Sequence, residues 1–359
     1  MNALNNDKKT DRVLMKGNEA MAEAALIAGC RAYFGYPITP QNEVPAYMSR
    51  RMPEVGGVFL QSESEVAAIN MVFGAAASGS RVMTSSSSPG ISLKQEGISY
   101  LAGAHLPCVI ANVQRAGPGL GGIGAAQGDY FQAVKGGGHG DYRLVVLAPA
   151  SVQEMADLTI QAFDIADEYL TPVMILSDAV VGQMTEPVVL PQKSGKRLPE
   201  KTWALTGAKG RAPNVIRSYF SVVEDVYKNN VRLQEKYRRI EAELPRGCEE
   251  FMADDADVLL VAYGVTSRIA KSVAVDLRKE GIKAGVLRPV TLWPFPDSVF
   301  KRHAGRVKSL IVVEMSYGQM VEDVKLSVDC RVPVGFYGIG GGYLPSEDDI
   351  AKLVREAAS

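Results

Sequence analysis

Three side chains of reactive type sit where apolar runs end: a threonine between two prolines, a glutamate behind two serines, and an arginine ahead of a glycine run. In "FGYPITPQNEVP" (residues 34–45), Pro37 and Pro40 bracket Ile38 and Thr39. Each proline fixes its own φ near about −65° and keeps the residue before it out of the helical region. The pattern predicts extended Tyr36 and Thr39, Pro40 as the first residue of a helix, and Thr39 as its N-cap. A hydroxyl that accepts a capping bond still has one proton to donate.

Glu65, in "QSESEV", has two readings. Ser62 and Glu65 have the S-x-x-E spacing of a capping box. The same carboxylate, at a strand-to-helix junction ahead of the small, apolar "AAINMVFGAAASG", would be poorly hydrated and poised to exchange a proton with a bound ring nitrogen. Arg115 closes the apolar "PCVIANVQ" and would meet either a carboxylate in a salt bridge or the anionic group of a ligand, held by two hydrogen bonds. Ser85 to Ser88, in "TSSSSPG", offer hydroxyls and amides to a ligand or start the next helix. The glycine runs "RAGPGLGGIGAAQGD", "KGGGHGDYR" and "YGIGGGYLP" have neither the G-K-[ST] of a Walker loop nor the spacing of a dinucleotide fingerprint, which disfavours a nicotinamide-dependent dehydrogenase. They read as mobile loops, large enough to cover a pocket.

The elements that must hold these residues follow from the hydrophobic pattern. From about 13 to 190, apolar runs ("AYFGYPI", "GVFLQS", "RVMTSSS", "PCVIANVQ", "RLVVLAP", "PVMILSD") alternate with amphipathic stretches ("NEAMAEAALIAG", "SEVAAINMVFGAAASG", "SVQEMADLTIQAFDIADEY"). Near-continuous apolar strands separated by helices predict a parallel sheet covered on both faces. Ligands then bind beyond the carboxyl ends of the strands, where Thr39, Glu65, Ser85 to Ser88 and Arg115 all fall. Residues 191–250 are polar and rich in Pro, Gly and Lys before "NVIRSYFSVVEDVYKNNVRLQEKYRRIEAEL", which reads as one long charged helix. A smaller α/β domain is expected over 251–359, from strands "ADVLLVAYG", "GVLRPVTLWP", "LIVVEMS" and "VPVGFYGIG" with helices between them. No repeat is strong enough to indicate duplicated domains.

Composition narrows the partners. A 359-residue chain with 47% hydrophobic and 22% charged residues suits a soluble two-domain protein. A net charge of −1 and the lack of a Lys/Arg block argue against nucleic acid. "MNALNNDKKTDRVL" has no apolar core of a secretory signal, and no apolar run spans a membrane, so a cytoplasmic protein is expected. Cys30, Cys108, Cys248 and Cys330 form no C-x-x-C pair, and His105, His139 and His303 are scattered, so neither an iron–sulfur motif nor a metal site is predicted on this chain. The cysteines read as buried or inert thiols.

Taken together, "GNEAMAEAALIAGCRAYFGYPITPQNEV", "QSESEVAAINMVFGAAASGSRVMTSSSSPG" and "ANVQRAGPG" closely resemble the α subunit of 2-oxoacid:ferredoxin oxidoreductases. "YGVTSRIAKSVAVDLRKEGIKAGVLRPVTLWPFP" resembles its second domain. The likeness covers nearly the whole chain and weakens between about 190 and 250. It implies an α/β fold with a parallel-sheet, pyrimidine-type thiamine-diphosphate-binding domain (13–190), a linker with a long helix (191–250) and a smaller transketolase-C-terminal-like domain (251–359). Such enzymes decarboxylate a 2-oxoacid oxidatively, form an acyl-CoA from coenzyme A and pass electrons to ferredoxin. By resemblance Glu65 bonds the pyrimidine nitrogen of thiamine diphosphate and promotes its imino form, with Pro37 and Ile38 beside the cofactor. Thr39 would donate to the substrate, and Arg115 would neutralise its carboxylate and the developing oxyanion.

The chain departs from the wider pattern in one respect. The G-D-G with a later Asn that anchors magnesium and diphosphate is missing; the Gly-Asp pairs at 128 and 140 do not fit it. The resemblance therefore implies half an active site. A thiamine-diphosphate-binding β subunit would hold the shared cofactor and its magnesium, γ and ferredoxin-like subunits would complete the enzyme, and the iron–sulfur clusters would lie on these partners. The chain alone is expected to be inactive. The "MKGNEA" and "GYPITPQ" wording is most similar to the branched-chain, 2-oxoisovalerate type, with the 2-oxoglutarate type as the alternative. A non-catalytic scaffold subunit is the reading from another class.

Overall fold

The structure, a computed structural model, describes residues 12–358. The stretch "MNALNNDKKTDRVL", read above as no secretory signal, lies mostly outside them. The first half of the chain carries β1 (Val13–Lys16), β2 (Ala32–Gly35), β3 (Val58–Gln61), β4 (Val82–Ser86), β5 (Cys108–Gln114), β6 (Val145–Leu147), β7 (Pro172–Asp178) and β8 (Thr185–Val188). Between them run α1 (Gly17–Ile27), α2 (Glu43–Glu54), α3 (Glu65–Ala77), α4 (Ser88–Gly103) and α5 (Val152–Tyr169). The second half carries β9 (Cys248–Phe251), β10 (Val258–Val261), β11 (Ala284–Pro289), β12 (Thr291–Trp293), β13 (Ser309–Glu314) and β14 (Val334–Gly338).

The large sheet has the order β12-β6-β7-β5-β4-β2-β3, parallel throughout except for β12. Its central strands β5 and β7 are buried along their whole length, as apolar strands covered on both faces should be. The second sheet has the order β14-β13-β10-β11-β9, with β9 antiparallel. Along β10 the side chains alternate between two cores: Leu259 and Val261 join the main cluster, Val258 and Leu260 a smaller one under the helix Glu347–Ala358. β1 and β8 pair as a separate ribbon.

Two expectations are corrected here. "GVLRPVTLWP" is not one strand. β11 ends at Pro289, which has no N–H to continue a ladder, and Val290 O instead accepts from Ala148 N at 2.8 Å, carrying β12 across to the first sheet. The long charged helix is shorter than expected, Val223–Glu243. Asn214 Nδ2 donates back to Thr202 O and Ala204 O, and Arg217 stacks on Phe220 at 4.8 Å, so residues 214–222 are committed to non-helical contacts. The cysteines divide: Cys30 and Cys108 are buried, and burial pushes the Cys30 thiol up to about 12, whereas Cys330 is exposed.

The two halves are wired together by buried polar groups. Asp178, at the end of β7, accepts from Val181 N and from Val265 N across the junction, both at 2.9 Å. Gln127 donates to Tyr263 O at 2.8 Å and accepts from Met315 N at 3.0 Å. Fully satisfied networks of this kind hold one relative arrangement. They bring the loops after β13 and β14 beside the carboxyl end of the large sheet.

Candidate active site

β3, β2, β4 and β5 are consecutive neighbours, and the candidate residues follow their carboxyl ends: Glu65 after β3, Thr39 after β2, Ser86 to Ser88 at β4, Arg115 after β5. The large sheet thus sets all of them along one rim.

Thr39 does not cap a helix. The Thr39–Pro40 peptide is cis, residues 39 and 40 form a turn that Gln41 N closes on Ile38 O at 3.1 Å, and α2 starts only at Glu43. The cause is Gln41, whose buried side chain donates to Tyr36 O at 3.1 Å and accepts from Ser85 Oγ. Those bonds commit residues 36–41 to the sheet rim instead of a helical turn. Thr39 Oγ1 accepts from Asn42 Nδ2 at 3.3 Å, which leaves its own proton free to donate. Ile38 and Thr39 are half-buried and Pro37 is exposed.

The capping box at Glu65 does not form either. Ser64 is the N-cap, accepting from Ala67 N at 3.2 Å, while Ser62 Oγ is turned to Gly35 O and Ser64 O at 3.2 and 2.8 Å. Glu65 is therefore the first helical residue, where the helix dipole favours an anion. It is only 6% exposed, and among the described residues its carboxylate has no hydrogen-bond partner. A buried charge left in that state is costly unless something else meets it. Gly90 of α4 makes room for it: a Cβ there would stand 2.6 Å from Glu65 Oε1 and overlap Ser86 Oγ, itself buried and unpartnered. Gly90→Ala is expected to lower stability by about 1–3 kcal/mol through this overpacking, read as a lower unfolding midpoint in denaturant.

Arg115 is 8% exposed, and among the described residues it has no carboxylate partner. Its Nη1 donates to Thr39 O at 3.0 Å and its Nη2 to Leu120 O at 2.7 Å, while Nε is buried with no partner. Two backbone carbonyls thus aim a guanidinium whose charge is not neutralised, and they tie it to Thr39. Of the two sequence readings, the salt bridge does not form among the described residues. Next to it Ser88 Oγ donates to Asp129 at 2.5 Å and Asn112 Nδ2 donates to the same oxygen at 2.8 Å. Burial pushes the Asp129 carboxyl upward against these two bonds. A cleft of about 470 Å³ opens here, walled by Ser88, Arg115 and Asp129 on one side and by Ser316, Tyr317 and Gln319 of the second half on the other. Glu65 and Thr39 are not part of its walls.

Several members of this rim went unread in the sequence. Asn112 is a polar residue inside the apolar "CVIANVQ", and Asp129 was weighed only as a failed G-D-G. Lys94, 0% exposed within α4, is the largest omission: its Nζ donates to Thr84 Oγ1 at 2.7 Å and Ser85 O at 3.0 Å. Its mark in the sequence is its place four residues after Gly90, at the end of the otherwise uncharged "SPGISLK".

Residues 23–253 match the family model described as pyruvate flavodoxin/ferredoxin oxidoreductase, thiamine diP-bdg, and residues 256–350 the pyruvate:ferredoxin oxidoreductase core domain II. The ketoisovalerate oxidoreductase subunit VorB of Methanothermobacter thermautotrophicus is 52% identical over 345 residues, covering 96% of this chain and 97% of that protein. The 2-oxoglutarate synthase subunit KorA of Archaeoglobus fulgidus is 40% identical over 336 residues, covering 90% and 94%. Among solved structures, the 2-oxoglutarate:ferredoxin oxidoreductase of Magnetococcus marinus, with 2-oxoglutarate, coenzyme A and succinyl-CoA bound, superposes with a TM-score of 0.86 at 25% identity. The likeness covers 97% of this chain but spans 66% of that one. A split-gene transketolase, an inactive β4 tetramer, shares the fold at a TM-score of 0.60 and 15% identity. The resemblance read from the motifs and the expected fold class agree with these likenesses.

Proposed function

Because the chain belongs to the pyruvate flavodoxin/ferredoxin oxidoreductase family, whose first domain is of the thiamine-diphosphate-binding type, we propose that it is the α subunit of a 2-oxoacid:ferredoxin oxidoreductase acting on 2-oxoisovalerate. The observation that carries the reading is Glu65: a buried carboxylate with no hydrogen-bond partner among the described residues, at the carboxyl rim of a parallel sheet. The orphaned Ser86 Oγ and Arg115 Nε beside the same rim fit a polar, anionic ligand.

When bound, thiamine diphosphate supplies the electron sink that makes decarboxylation possible. The residues of this chain do the rest. Glu65 holds and moves a proton at the ring nitrogen. Pro37 and Ile38, at the end of β2, wall the ring. Thr39 Oγ1 donates its remaining proton to a substrate oxygen, and Arg115 stabilises the negative charge of the carboxylate and of the oxyanion that develops.

The magnesium, the diphosphate anchor and the iron–sulfur clusters belong to partner subunits: a thiamine-diphosphate-binding β subunit, and γ and ferredoxin-like subunits that deliver electrons to ferredoxin. Support comes from the relatives, which are named as subunits, and from exposed Leu120, Ile123, Tyr317 and Tyr343 on the loops beside the cleft, the kind of apolar surface that partners cover. Among the described residues no helix is long and apolar enough to cross a membrane.

Substrate choice rests on the 52% identity to the ketoisovalerate subunit against 40% to the 2-oxoglutarate one. The test is a panel of 2-oxoacids with the assembled enzyme, following viologen reduction. The branched-chain acid should give the highest kcat/KM, by about tenfold or more if one misplaced carboxylate costs at least 1.4 kcal/mol. The purified chain alone should give no reduction. A preference for 2-oxoglutarate would replace the substrate assignment, and activity of the lone chain would remove the partners from the mechanism.

A further inference from the structure

α4 meets α3 along a face with a definite pattern. Gly90, Lys94 and Gly97 are spaced i, i+4, i+7, which puts them on one side of the helix. The outer two are pressed by α3: a Cβ on Gly90 would meet Glu65, and one on Gly97 would meet Ile69. Lys94 lies between them on that face, fully buried, with its ammonium on Ser85 O, next in the chain to Ser86, whose Oγ and Glu65 Oε1 both crowd the Gly90 Cβ position. Two of its three N–H groups are used, by Thr84 Oγ1 and Ser85 O. Among the described residues neither Lys94 nor Glu65 has a salt-bridge partner, yet Glu65 is the charge that acts on the ammonium.

A lysine and a glutamate, both buried and each lacking any other counter-charge, lie on facing helices at the rim of the site. We propose that Lys94 is a positioning residue of this reaction, the counter-charge that holds Glu65 in place and biases its proton toward the bound ring. The proposal rests on the reading of Glu65 as the proton carrier. Burial pulls the Lys94 ammonium down to about 7 while the Glu65 charge pulls it back up. From β2, the Tyr33 hydroxyl lies 2.6 Å from Ser85 Oγ, and burial keeps it protonated well above the ordinary tyrosine range, so it adds no charge. From β4 come only the hydroxyl of Thr84 and the carbonyl of Ser85. Among these groups Glu65 is therefore the one opposite charge that acts on Lys94.

The test reads that coupling directly, without turnover. Lysine ¹³C/¹⁵N NMR on the full chain, with Lys94 assigned by its loss in Lys94→Met, gives the titration midpoint. In Glu65→Gln the midpoint should fall by about one pH unit or more, the effect of removing a nearby opposite charge. Glu65→Ala, read at the same lysine signal, should lower the midpoint likewise and serves if the glutamine variant folds poorly. An unchanged midpoint in either variant overturns the proposal. In the assembled enzyme Lys94→Met should shift the acid limb of the kcat profile upward with KM within about twofold, since the residue touches no substrate. A pH-independent loss would mark a purely structural role and overturn it too. If Glu65→Gln keeps full turnover, the reading of Glu65 fails, and the NMR midpoints still judge the pair separately.

Discussion

In the assembled enzyme Glu65→Gln is expected to lower kcat by about 10²- to 10⁴-fold, the usual range for removing a positioned proton-transfer group. The substitution keeps the side chain's length and hydrogen-bonding shape, removing only the ability to gain and lose a proton. Ser64 supplies the N-cap, so α3 loses no capping bond. KM for the oxoacid should stay within a few-fold, because Glu65 faces the cofactor rather than the substrate in the proposed arrangement. Subunit association, followed by size-exclusion chromatography, should be unchanged. A scaffold subunit would give the opposite result, full turnover in the variant enzyme, and one assay on one purified complex separates the two classes.

Why that residue was legible, and why others were not, has a physical basis. The sheet was readable because its central strands are buried on both faces and so appear as unbroken apolar runs; "PCVIANVQ" and "PVMILSD" became β5 and β7 with boundaries displaced by a residue or none. Positions at strand ends followed from the same runs, which is how Thr39, Glu65 and Arg115 came to one rim. Local capping did not follow. Ser62 and Ser64 compete for one helix start, and the winner depends on Gly35 O, a carbonyl 27 residues earlier in the chain that captures Ser62. Thr39 lost its expected cap for the same kind of reason, a buried Gln41 bonded to Ser85, 44 residues away. β12 was hidden because three residues carry too little periodicity to show which sheet they join. Lys94 was hidden because a lysine on an amphipathic helix is ordinarily solvated, and only the packing of α3 against Gly90 and Gly97 reveals that this one is not.

Arg115 should be the second large effect. Arg115→Met in the assembled enzyme is expected to lower kcat/KM for the oxoacid by about 10²- to 10³-fold, the loss seen when one preorganised donor to a developing oxyanion is removed. Part of the loss should be in KM, since the guanidinium also meets the ground-state carboxylate. Arg115→Lys should recover little of it. A lysine restores the charge but not a planar fork that can hold Thr39 O and Leu120 O while still presenting Nε to a ligand. Free guanidinium added to the methionine variant should restore a measurable fraction of turnover, because the two carbonyls that aim the side chain remain to receive it. Two results would remove Arg115 from the site: a lysine variant as active as the parent, or a methionine variant impaired in folding but unchanged per folded enzyme. In either case the buried guanidinium would serve only to pin the glycine loop to the turn at Thr39, a role its two carbonyl bonds could fill unaided.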